Sequence, residues 1–210
     1  MIDKQDIGRM LTAMAEDLNA ARHELTELDN IIGDGDHGTN MDRGFQAVMK
    51  ELPELLQHDD VGAILHNAGM TLMNTIGGSA GPLYGTLFMW AGMTCRGAVE
   101  VDGLTFAGAL ESGAYGIAEI GGAHEGDKTM LDALFPACRA LRESLQKGAV
   151  LTEALAAAAQ AAEQGVDYTK TIVANKGRAS YIGKRSLGHQ DPGATSVLVL
   201  LRAMQRSLPD

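Results

Sequence analysis

The stretch DNIIGDGDHGTNM, from Asp29 to Met41, places three carboxylates within eight residues: Asp29, Asp34 and Asp36. Gly33 and Gly35 lie between them, and His37 and Gly38 follow. Carboxylates this close repel one another unless a cation or hydrogen-bond donors compensate. Two readings are open. In one, Asp34-Gly35 is a solvated turn dipeptide and Asp36 or Asn40 caps the next helix. In the other, the acids hold a cation. That cation would be hard and divalent, since Mg²⁺ takes carboxylate oxygens and usually shares its shell with phosphate. An EF-hand is excluded, because the twelfth position counted from Asp34 is Phe45, where a bidentate Glu would be required. Zinc is disfavoured because His37 is the one nearby histidine and no cysteine is close.

Three further segments have chemistry-bearing composition. TIGGSAGPLYGT (75–86) could cradle an anion, since glycines allow close approach and a helix N-terminus presents unpaired N–H groups. A tight interhelical turn fits it equally well. Neither a Gly-Lys-Ser/Thr phosphate loop nor a G-x-G-x-x-G after a strand is present. GDKTM (126–130) puts Asp127, Lys128 and Thr129 at a helix start, as an ordinary capping segment or as part of a site. NKGRASYIGKRSLGHQDPGATS (175–196) gathers Lys176, Arg178, Lys184 and Arg185, the densest basic stretch of the chain. It is either a solvated loop or the counter-charge for a polyanion that Mg²⁺ holds from the other side. His23, His58, His66 and His124 read as surface or satisfied residues, and no Ser-His-Asp or Cys-His spacing occurs.

Helices must position these loops. Apolar residues recur three or four apart over 3–28 (Ile7, Met10, Leu11, Met14, Leu18, Ala21, Leu25, Leu28). A second helix is expected from Met41 to about Leu56, ended or kinked by Pro53, and a third after Asp59-Asp60. The fourth starts near Pro82 and runs through LFMWAGMTC, apolar all round and so fully buried. The fifth and sixth cover about 105–119 and 128–146. Thr152 caps the seventh, LTEALAAAAQAAEQG, and the eighth runs from Pro192 to about Ser207. No strand is expected. The four unusual loops follow the first, third, fifth and seventh helices. In an up-and-down antiparallel barrel all four emerge at one end. The expected fold is therefore all-α, one domain over residues 1–210, an eight-helix barrel with a site on one rim.

Composition narrows the function classes. Hydrophobic residues make up 45% of the 210-residue chain and aromatics 4%, so Leu, Ile, Val, Met and Ala must build the core. A net charge of −10 without a Lys/Arg cluster argues against direct nucleic-acid binding and against docking on anionic lipid. Cys95 and Cys138 sit in apolar segments and read as buried thiols in a reducing compartment. The start, MIDKQDIGRM, lacks a signal-peptide pattern, and no apolar run reaches the roughly 18 residues of a membrane span. A soluble cytoplasmic protein is expected.

Together GDGDHGTNM, GGSAGPLYGT, GDKTMLDAL and GRASYIGKRSLGHQDPGATS resemble the nucleotide-binding (DhaL) subunit family of phosphotransferase-system-dependent dihydroxyacetone kinases, in order and over essentially the whole chain. The resemblance implies an eight-helix antiparallel barrel holding ADP with two Mg²⁺ ions on Asp29, Asp34 and Asp36. It implies that His37, Gly38, Thr39, Asn40, Gly78 and Ser79 lie against the phosphates and that Gly121, Thr129 and Met130 line the nucleotide pocket. Arg178 and the Asp191-Pro192-Gly193 turn would close over it. ADP would be a retained cofactor, rephosphorylated in place by a phosphocarrier subunit that draws on phosphoenolpyruvate. The phosphoryl group would pass to dihydroxyacetone held on a separate substrate-binding subunit. A transcriptional regulator is admitted as a further partner. The alternatives are an ATP-exchanging kinase subunit for another small ketose, a non-catalytic helical adaptor, and a metal-dependent phosphohydrolase.

Overall fold

The computed structural model describes residues 1–209. In chain order it contains a two-residue strand β1 (Ile2–Asp3), helices α1 (Lys4–Ile32), α2 (His37–Leu55), α3 (Val61–Thr75) and α4 (Ala80–Thr94), and a second strand β2 (Glu100–Val101). Helices α5 (Gly103–Gly121), α6 (Leu131–Gln146) and α7 (Leu151–Thr169) follow, then a 3₁₀ segment at Arg178–Ser186 and α8 (Pro192–Ser207). The eight α-helices match the number expected. The strands were not anticipated: two residues are too few to leave an alternating pattern, and they pair antiparallel with Ile2 opposite Val101.

Each helix packs on its neighbours in sequence, and α8 packs back on α1, so the ring closes as an all-α barrel. Its interior is a continuous apolar cluster that includes Leu18, Leu25, Met41, Phe45, Ile64 and Leu141, each essentially without solvent exposure. A cavity of about 50 Å³ is left between Ile7, Met10, Phe88 and Met204. The α3–α4 pair is the tightest seam. Gly62 and Gly69 face Gly92 and Gly85, and a Cβ added at Gly62 would lie 2.5 Å from the Gly92 carbonyl oxygen. Glycines seven apart on both helices let the two backbones touch.

Several boundaries differ from the sequence reading, each for a local reason. Helix α1 continues through Asp29 to Ile32, and α2 already starts at His37, so the acidic loop shrinks to a four-residue turn, 33–36. Pro53 neither ends α2 nor breaks it before Leu55. Helix α4 begins two residues before Pro82, which sits in the first turn where its missing N–H has no helical partner to lose. Thr152 is not a cap: Val150 holds that position with an extended backbone and no side-chain bond. Both cysteines are free and buried, as expected. No helix among the described residues is long and apolar enough to cross a membrane.

Capping separates the two ends of the barrel. At the end where α1, α3, α5 and α7 begin, aspartates Asp3, Asp60 and Asp102 cap the first three, accepting N–H bonds from the opening turn. At the other end α2, α4, α6 and α8 begin. There Asp36, Ser79 and Met130 stand at the cap positions of the first three and make no side-chain cap bond. Only α8 is capped at this end, by Asp191. No side chain at these three cap positions covers the helix starts, so their positive dipole ends face one rim, although the His37 N–H is taken by Asp29 and the Leu131 N–H by Thr129.

Candidate functional site

The rim with the uncapped helix starts encloses a pocket of about 410 Å³, walled by all four unusual loops. The size is that of a small-molecule or cofactor site. Asp29, Asp34, Asp36 and His37 form one side, Gly77 to Ala80 a second, Gly121 and Lys128 to Leu131 a third, and Lys176 to Ala179 with Asp191 to Gly193 the last. The alternation of loops with helix pairs puts them all on one face.

The acidic side is built by the end of α1 and the start of α2. Asp29 projects from the last turn of α1 and is buried; its Oδ2 accepts the N–H groups of Asp36 (2.9 Å) and His37 (3.1 Å). These bonds fold the turn back so that Asp34 and Asp36 meet Asp29. One oxygen of each carboxylate lies within 4.8 Å of the others. Gly33 makes this possible, since a Cβ there would fall 1.9 Å from Asp29 Oδ1. The donor set is all oxygen and bears three formal negative charges, which suits a hard divalent ion such as Mg²⁺ and no soft metal. Arg178 Nη2 sits 2.8 Å from Asp34 Oδ2, so the basic segment does reach the acidic one. Lys176 also lines the pocket; Lys184 and Arg185 do not, because the 3₁₀ segment carries them away from it.

His37 lines the same side, its Nε2 2.9 Å from Ser196 Oγ. Ser196 in turn lies 2.6 Å from the buried Tyr84 hydroxyl, and donates to the Gly193 carbonyl at 3.0 Å. Burial pushes the His37 imidazole pKa down, against the pull of Asp29 and Asp36. Burial likewise raises the Tyr84 phenol, so both groups stay neutral at physiological pH. The chain ties the starts of α2, α4 and α8 together behind the pocket wall.

Of the residues singled out in the sequence, Gly78, Ser79, Gly121, Thr129, Met130, Arg178, Asp191, Pro192 and Gly193 line the pocket with His37 and the three aspartates. Gly38, Thr39 and Asn40 do not. Gly38 packs against α1, Thr39 is exposed, and Asn40 is buried with its Oδ1 accepting from Arg43 at 2.8 Å. Sequence reasoning missed Tyr84 and Ser196, which carry no spacing signal, and underrated Lys128, whose role depends on contacts 41 to 61 residues away.

A family model described as the DAK2 domain matches residues 31–206. The chain belongs to the DAK2 domain family. The match takes in all four rim loops and, of the three clustered aspartates, misses only Asp29. Among relatives, the ADP-binding subunit DhaL of the PEP-dependent dihydroxyacetone kinase of Escherichia coli (strain K12) is 40% identical over 203 residues, covering 97% of this chain and 96% of that protein. The ADP-binding subunit DhaL of PEP-dependent dihydroxyacetone kinase 2 from Listeria innocua serovar 6a is 37% identical over 209 residues, covering 99% and 96%. The crystal structure of the dihydroxyacetone kinase from C. freundii in complex with AMP-PNP and Mg²⁺ superposes with a TM-score of 0.75 at 27% identity. That alignment covers 96% of this chain but 33% of the longer kinase.

Asp191, at the start of α8 in this family member, yields a pH prediction. Burial raises its carboxyl to about 7 from an ordinary 3.8, although the Ala194 N–H bond and Lys128 favour the ionised form. A folded-state pKa above the unfolded one means that the folded chain binds the proton more tightly. This contribution to stability is full below pH 4 and is lost as pH rises to 7, by at most about 1.4 kcal/mol per pH unit. Asp191→Asn keeps a capping oxygen without the charge. In nucleotide-free protein, the melting temperature of the variant relative to wild type should therefore climb between pH 4 and pH 8. Parallel curves for the two proteins would show that Asp191 does not titrate there.

Proposed function

We propose that this chain is the ADP-binding, phosphoryl-transferring subunit of a phosphoenolpyruvate-dependent dihydroxyacetone kinase. The observation that carries the reading is the composition of the pocket: three converging carboxylates on one side, helix starts without side-chain caps around it, and Lys176 and the Asp34-paired Arg178 in its lining. An anionic ligand that shares metal ions with aspartates meets complementary charge on every side of such a pocket. Asp29, Asp34 and Asp36 would hold two Mg²⁺ ions, which neutralise and orient phosphate oxygens. His37, Gly78 and Ser79 would face the phosphates, with Gly121, Thr129 and Met130 along the nucleotide and Arg178 and Asp191 to Gly193 closing over it.

Phosphoryl transfer needs positioning and electrostatic stabilisation more than a protein nucleophile, and this pocket has donors and cations but no activated Ser, Cys or Lys. Gly78, with φ at +63°, turns the backbone into the start of α4 beside the cavity that Gly77 to Ala80 line. The chain itself binds nucleotide and excludes water, and the acceptor sugar comes from outside. Near-full-length matches to stand-alone ADP-binding subunits support a separate dihydroxyacetone-binding subunit and a phosphocarrier subunit as partners. A cytoplasmic setting goes with that reading, and a transcriptional regulator could dock on the same rim.

The retained cofactor gives a direct test. Denaturing the purified protein and resolving the supernatant on ion exchange should yield close to one ADP per chain. Protein purified without nucleotide would point instead to an adaptor. The phosphocarrier system with phosphoenolpyruvate should then drive turnover of dihydroxyacetone in the presence of the substrate subunit. Equal turnover with ATP alone would assign the chain to an ATP-exchanging kinase.

A further inference from the structure

Ten described residues have a backbone in the left-handed region, and nine of them are glycines; the exception is Lys128, with φ at +62°. That conformation favours glycine, and another residue persists there only where its surroundings hold it. The Lys128 side chain supplies the reason. It is 1% exposed, and its ammonium donates to the backbone carbonyls of Thr169 and His189 and, at 3.4 Å, to that of Ile172. Three N–H donors meet three acceptors, so none is left for a ligand.

We propose that Lys128 is a positioning residue, whose ammonium bolts the Thr129–Met130 wall of the pocket to the Asp191–Gly193 wall; the proposal rests on the nucleotide reading given above. The bonds around it run to the same place. Thr169 accepts Lys128 on its carbonyl and the Asp191 N–H on its hydroxyl, at 3.0 Å. The Asp132 carboxylate accepts the N–H groups of Gly126 and Thr129, fixing the backbone on either side of Lys128. A Cβ on Gly193 would lie 3.4 Å from Met130, so the walls already touch. The end of α7, a carbonyl-rich C-terminus, gains a cation where its dipole favours one. Lys128 acts as an internal cation linking two loops that are some 60 residues apart in the chain.

The test follows release of radiolabelled ADP from magnesium-loaded protein. Lys128→Gly removes the ammonium and relieves the backbone, and Lys128→Met keeps the buried stem and removes only the charge. Both should release ADP at least about tenfold faster than wild type, the ratio implied by losing hydrogen bonds to a charged group. Added n-butylammonium should slow release from the Gly variant back toward the wild-type rate. Equimolar n-butanol, which fills the same space without a positive charge, should not. Wild-type release from the Met variant, or equal rescue by butanol, would reduce Lys128 to a packing residue and overturn the proposal. A wild-type chain that binds no ADP defeats the nucleotide reading itself, and this role with it.

Discussion

Asp34→Asn and Asp36→Asn are each expected to leave the chain folded and to strip it of magnesium and ADP. Both side chains are exposed at the turn between α1 and α2 and neither holds a helix cap, so the fold loses little with either charge. Asp29 is the poorer probe, because its carboxylate also binds two backbone N–H groups and organises the turn. Removing one of three carboxylates weakens the site for a divalent ion, and a nucleotide held through shared metal leaves with it. A ligand bound at a hundred times its Kd stabilises by about 2.7 kcal/mol. For a chain of this length that corresponds to a melting temperature lower by about 5–10 °C. Without nucleotide the order should vanish or reverse, because the wild type retains the repulsion of three close carboxylates. Calorimetry with and without Mg-ADP reads both halves. Full ADP content and unchanged melting in either variant would mean the metal ligands lie elsewhere.

Gly38→Ala should cost stability and nucleotide affinity together. A Cβ at this position would stand 2.1 Å from the Arg22 carbonyl oxygen and 2.9 Å from the Thr26 N–H nitrogen, both main-chain atoms of α1 that no rotamer change can move. Helix α2 must then lift off α1, as when extra methylenes are forced into a packed core at a cost of about 1–3 kcal/mol. Melting should fall by about 2–12 °C in nucleotide-free protein. Lifting α2 also draws Asp36 and His37 away from Asp29, so ADP should bind more weakly than the lost stability alone explains. The sequence assigned Gly38 to the phosphates through the family resemblance; in the structure its glycine serves the contact between two helices. A Gly38→Ala variant as stable as wild type would show that α2 has slack at its start.

The helices were legible because their apolar residues repeat at the helical period, and α8 was recovered despite its β-branched content through the Asp191-Pro192 start. The common rim was legible because the number of helices between loops decides which end a loop occupies. Boundaries near the acidic motif were not. Asp29 looks like loop beside Gly33, but its carboxylate is what ties the turn, and only the distances reveal that α1 runs on to it. Of four cations in the 175–196 segment, sequence cannot choose. The kink at Gly183 separates Arg178 from Lys184 and Arg185, and Arg178 is the one that reaches Asp34. Lys128 was hidden most deeply, since neither its positive φ nor carbonyls at Thr169 and His189 can be seen in GDKTM.

The return of α8 onto α1 sets an order of events during synthesis. Asp29, Asp34 and Asp36 emerge well before Asp191, Pro192 and Gly193, which open the eighth helix, and Ser196, which lies 2.9 Å from His37, is within that helix. A growing chain therefore carries the acidic wall with nothing opposite until the eighth helix has been made. Bringing the first helix to the eighth closes a loop of well over a hundred residues, a slow step by chain topology. Any ligand that needs both walls can be captured only after that closure, when the eighth helix has cleared the ribosome.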